Sequence, residues 1–130
     1  MTIRYRLANQ GDAPGVAALH AANWRRAYRG NFRDKYLDGD ISSERRAVWN
    51  ARLGNPPANQ YVGVAEEDSR VVGFVCVFGA HDREWGSFID NLHVDVMNPA
   101  ICIPLRIKDQ TIGVISIYRF LQQKKRLASV

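Results

Sequence analysis

The run Val71-Val72-Gly73-Phe74-Val75-Cys76-Val77-Phe78 has no charged or amide side chain to turn toward water. A strand that is apolar at both parities must be covered on both faces, so it belongs in the middle of a sheet with a layer on each side. Extended to Ala80, the apolar stretch is about half the roughly 20 residues that a membrane-spanning helix needs. It reads as a core strand, and the rest of the chain has to supply its neighbours and its cover.

The neighbours come in order. Ile3, Tyr5 and Leu7 alternate with Arg4 and Arg6, the period of a half-buried strand. Asp12 is placed to cap a first helix with Pro14 in its first turn. Val16, Leu19, His20, Asn23, Trp24, Ala27 and Tyr28 then recur at helical steps until Gly30. His20 lies in that apolar stripe, where a lone histidine is expected to be a hydrogen-bonded packing residue. Ser42 or Ser43 caps a second helix, whose face of Val48, Trp49, Arg52 and Leu53 ends at Gly54 before Asn55-Pro56-Pro57. Tyr61 to Ala65 is the second strand, turned at Glu66-Glu67-Asp68-Ser69 into the central one. Phe88, Leu92 and Val94 mark a fourth, with Asp90 interrupting its apolar face.

Past Pro99 the pattern is a second hairpin, Ile101 to Ile107 and Ile112 to Tyr118. Pro104 removes a ladder donor from its first arm. Either the sheet splits between strands four and five, or strand five is an edge. The expected fold class is α+β, a mainly antiparallel six-stranded sheet with two helices between strands one and two.

With 130 residues, 46% hydrophobic and 24% charged, the chain is expected to form a single domain over 1–130. A formal charge of +5 is compatible with an anionic partner, but solvated helix surface accounts for it, and no nucleic-acid partner is expected. Cys76 and Cys102 lie in apolar runs without metal-ligand spacing, so they read as buried thiols and no metal site is expected. Met1 to Arg6 has no apolar signal core, and the expected localisation is cytoplasmic.

Several segments in this order resemble the GCN5-related N-acetyltransferase family: Ile3-Arg4, Leu19-His20-Ala21-Ala22-Asn23-Trp24, Ala27-Tyr28-Arg29-Gly30, Tyr36-Leu37-Asp38-Gly39, Val71-Val72-Gly73-Phe74-Val75 and Asn91-Leu92-His93-Val94-Asp95. The resemblance covers residues 1 to 95. It implies that the two helices shape a pocket for a small-molecule amine. It also implies that the main chain of Leu92, His93 and Val94 pairs with the pantetheine arm of acetyl-coenzyme A. Asp90 or a bound water would be the base for the attacking amine, unless Asp90 is a strand carboxylate paired with an arginine.

The family continues with an Arg or Gln and a glycine-rich turn that opens a helix, because free backbone N–H groups there cradle the pyrophosphate. Val96-Met97-Asn98-Pro99-Ala100 has no glycine and leads into a strand. Losing roughly three charge-assisted hydrogen bonds at about 1.5–3 kcal/mol each removes at least about 4.5 kcal/mol, a thousandfold or more in affinity. Binding of acetyl-coenzyme A is therefore expected to be weak or absent. If it does bind, Arg25 and Arg29 are the first candidates to compensate.

Ile103-Pro104-Leu105-Arg106-Ile107 with Gln110-Thr111-Ile112-Gly113-Val114-Ile115 is similar to the paired core strands of GAF sensor domains. The chain thus reads as an acetyltransferase-like scaffold without a competent cofactor site. The alternative is a non-enzymatic hybrid of two folds, natural or engineered. A homodimer through the C-terminal hairpin is expected, since both faces of its last strand carry apolar residues.

Overall fold

A computed structural model of the chain describes residues 2–96, 100–107 and 110–118, with side chains up to residue 96. Four strands form one antiparallel sheet in the order β1 (Arg4–Leu7), β2 (Gln60–Glu67), β3 (Arg70–Asp82), β4 (Gly86–Val94). Two helices, α1 (Ala13–Ala27) and α2 (Ile41–Gly54), lie between β1 and β2 in sequence. The apolar run is the inner strand β3, where Val72, Phe74, Val75 and Cys76 are fully buried.

Its two faces are covered by different means. Phe74 and Cys76 pack with Val62 and Val64 against Val16 and Leu19 of α1 and Trp49 and Leu53 of α2. On the opposite face Ala65, Val72 and Val75 are also fully buried, with Ile3, Tyr61, Val77, Leu92 and Val94 around them. The cover there is β5 (Ala100–Ile107), whose Cα atoms come within 8 Å of both β2 and β3. Both of those strands are already flanked within their own sheet, so a strand near both lies over a face, and the helices hold the other one.

β5 pairs antiparallel with β6 (Gln110–Tyr118) in a ladder of its own. The single six-stranded sheet read from the sequence is thus a four-stranded sheet and a separate hairpin, the first of the two options that Pro104 left open. Pro104 sits opposite Val114 within that ladder. The basic triplet Lys124-Lys125-Arg126 lies outside the described residues.

The helix starts differ from their sequence assignment. Asn9, not Asp12, caps the first helical segment: its side chain accepts from Gly11 N–H at 2.9 Å, and Asp12 accepts from Asn9 N–H at 2.8 Å. A short 3₁₀ turn then runs into α1. Asp12 is held by Arg6, which also bridges Glu66 at 2.9 Å and ties β1 to β2 and to the helix start. α2 begins earlier than Ser42, because a π-helical turn over Tyr36–Asp40 feeds straight into it. Gly30, at φ +88°, ends the chain's exit from α1 where a side chain would be strained.

Candidate functional site

β4 is the last strand of its sheet, and a bulge shapes it. Cys76 pairs with Asn91 and Val77 with Ile89, so Asp90 is the extra residue. The bulge turns Asp90 to the helix side. There its Oδ2 accepts from Arg52 Nη1 at 2.7 Å and from Asn91 Nδ2 at 2.6 Å. The Arg52 guanidinium in turn lies over the rings of Trp49 and Phe78, at 5.2 and 5.8 Å. The candidate base is therefore engaged as the arginine's partner. Nearby, burial pushes the Cys76 thiol up to about 11, so it stays protonated.

Past the bulge the ladder is regular. Asp95 N–H donates to Val72 O at 2.8 Å, and His93 stands opposite Phe74 two residues along. Antiparallel alternation then commits the main chain of His93 to β3, and points the N–H and C=O of Leu92 and Val94 outward. Of the three residues expected to present backbone groups, the geometry turns two toward the open side. Among the described residues no strand pairs with that side.

One outward group is met by α1. Asn23 Nδ2 donates to Val94 O at 3.1 Å and lies 3.3 Å from His93 Nδ1. One turn earlier on the helix, His20 is buried against Phe74 and against His93, whose ring centroid is 4.5 Å away. Trp49 Nε1–H donates to His20 Nδ1 at 3.0 Å. An indole nitrogen only donates, so Nδ1 is bare and neutral His20 carries its proton on Nε2. Burial, with His93, Arg45 and Arg52 nearby, pushes its pKa down to about 3. His20 is the hydrogen-bonded packing residue expected from its place in the stripe. The sequence places Asn23 on that stripe without pointing to a role; an amide three residues after a buried histidine on an apolar face is the available signal.

Beyond Asn23 a groove of about 250 Å³ runs between α1 and the ends of β3 and β4, past Gly15, Ala18, Ala22, Arg26, Arg70 and Asp95. Arg70 bridges Asp95 at 2.7 Å, and Arg26 reaches Asn23 Oδ1 at 3.5 Å. The two arginines that are the first candidates for a compensating role, should the cofactor bind, are engaged elsewhere. Arg25 donates to Leu37 O at 2.7 Å and to Ser42, and Arg29 bridges Asp34 and Asp38. Among the described residues no group of three His, Cys, Asp or Glu side chains is placed to hold a metal ion.

No family model and no curated protein matches the sequence. Solved structures do match. PaiA N-acetyltransferase from Thermoplasma acidophilum, in complex with coenzyme A, aligns with a TM-score of 0.60 at 14% identity, over 99% of this chain and 73% of its own. A GCN5-related N-acetyltransferase from Ralstonia eutropha JMP134 aligns at 0.53 and 18% identity, over 74% of this chain and 64% of its own. A possible acetyltransferase from Clostridium difficile 630 gives 0.52 and 18%, over 75% and 60%.

The fold is that of the GCN5-related N-acetyltransferases.

The chain spans less than two thirds of the length of the second and third of these acetyltransferases. Where this acetyltransferase fold departs from the expected cofactor site is the exit from β4. β4 ends at Val94 and β5 begins at Ala100, which leaves residues 95–99 between them. In sequence, Val96 to Ala100 carries no glycine, and Pro99 has no N–H to offer a diphosphate.

Proposed function

We propose that this chain is an acetyltransferase-fold scaffold that does not grip acetyl-coenzyme A by its phosphates and is not competent as an N-acetyltransferase. The short passage from Val94 to Ala100 is the observation that carries this reading. The likeness to solved acetyltransferases, one of them with coenzyme A, supports the origin of the scaffold and the kind of ligand its open strand suits. Asp90 in this reading is the structural partner of Arg52 and not the base for an attacking amine. What remains of the site is the outward main chain of Leu92 and Val94, which suits the amide-bearing pantetheine arm alone.

The test is a pair of calorimetric titrations, with acetyl-coenzyme A and with S-acetyl-pantetheine, which has no phosphate. The expected result is weak binding of both, equal within about threefold, since a factor of ten would need about 1.4 kcal/mol from the phosphates. A low-micromolar acetyl-coenzyme A complex with much weaker acetyl-pantetheine binding would overturn the reading.

A second reading is a non-enzymatic protein that self-associates through the hairpin. It is favoured by β6, which pairs with β5 on one side and, among the described residues, with no strand on the other.

A further inference from the structure

The misfit with the cofactor extends from the phosphate end to the strand edge itself. An open edge strand offers a row of alternating N–H and C=O groups to any extended chain that carries amides. On β4 that row is Leu92 and Val94. Asn23, projecting from α1, already donates to the Val94 carbonyl at 3.1 Å. The two hydrogens of its amide nitrogen are divided between that oxygen and His93 Nδ1. His93 itself is held in place by stacking on Phe74, with ring centroids 5.2 Å apart. The donor is therefore anchored at both ends, on a helix packed against the strand it caps.

We infer that Asn23 is a built-in cap on the β4 edge that competes with an incoming amide for the Val94 carbonyl. The inference rests on the reading that the outward row of Leu92 and Val94 is where a pantetheine-like arm lies. An arriving N–H must then displace an existing hydrogen bond, so a bond that would otherwise add affinity brings no net gain. The capping contact is local. Asn23 does not touch the outward N–H of Val94 or either outward group of Leu92, so the cap weakens docking without abolishing it.

The effect expected from freeing one neutral hydrogen-bond acceptor is roughly three- to tenfold in affinity. Two substitutions remove the donor: Asn23→Ala, and Asn23→Leu, which keeps the shape of the side chain. Val94→Pro tests the edge separately. It deletes an outward N–H that takes no part in the ladder, a position where proline is tolerated. Each variant is titrated calorimetrically with S-acetyl-pantetheine, with thermal unfolding confirming that it is folded.

Tighter binding by at least one Asn23 variant, with weaker binding by Val94→Pro, is the expected result. Unchanged or weaker binding by both Asn23 variants, with Val94→Pro still weakened, overturns the cap and leaves the edge reading standing. No response to any substitution, or no measurable heat with any of the proteins, overturns both.

Discussion

His20 illustrates what a single buried ring commits the molecule to. With Nδ1 accepting from Trp49 and the side chain buried, the folded protein has no place for a second proton on it. Its pKa falls to about 3 in the folded state, against an ordinary value near 6.5 in the unfolded chain. Between those values the unfolded state binds the proton and the folded state does not, so stability falls as the pH drops below about 6.5. At pH 5 this amounts to at most about 2 kcal/mol. Urea unfolding midpoints at pH 7 and pH 5 should therefore separate in the wild-type protein, and draw together in His20→Gln, which keeps an acceptor for the indole. Equal separation in both proteins would assign the acid sensitivity to other groups. At this scale the sequence carried His20 well, because a histidine in an apolar stripe has few ways to be satisfied. It carried Asp90 only as a choice between two roles, since the arginine it pairs with is 38 residues away.

At the scale of elements, strand order and helix count were legible because period and breakers reported them directly: the unbroken apolar β3, the alternation of β1, and Asn55-Pro56-Pro57 after α2. The helix starts were not, because the π-helical turn at Tyr36–Asp40 leaves no break of period before α2. Nor was the division of six strands into four and two. A hairpin that lies over a face and one that extends a sheet have the same alternation, and only long-range placement tells them apart. That placement has a measurable weight. Without the hairpin, Val72 and Val75 lose their cover at about 1.5–3 kcal/mol each, a large share of the 5–15 kcal/mol that a domain usually has. A protein of residues 1–98 should unfold at a distinctly lower temperature than the full chain, or not fold cooperatively at all. An unchanged midpoint would mean that β5 is an appendage and that the sheet finds its cover elsewhere.

For the molecule as a whole, the proposed self-association stems from an outer edge of β6 with no described partner strand. A closed twofold dimer is the commonest way to bury such an edge. Sedimentation at tens of micromolar should give a dimer, and Ile117→Lys should shift it toward monomer. A monomeric wild-type protein, with unaltered solubility of the variant, would rule the dimer out. The family likeness was legible in residues 1 to 95 because it is spread over many segments. The stretch after Asp95 was less legible, because the passage out of β4 is defined by residues the family would have and this chain does not.

The layer that β5 lays over Ala65, Val72 and Val75 also sets an order of events during synthesis. The chain leaves the ribosome N-terminus first, so β1 to β4 and both helices emerge ahead of residues 100–107. In that interval three positions that end fully buried face water, and the outer row of β4 stands open beside them. Two nascent copies in that state present each other with an apolar face and an unpaired strand together, the combination from which misassembly starts. Anything that holds the chain back after β4 has emerged and before β5 does lengthens the time the molecule spends as half of a sandwich.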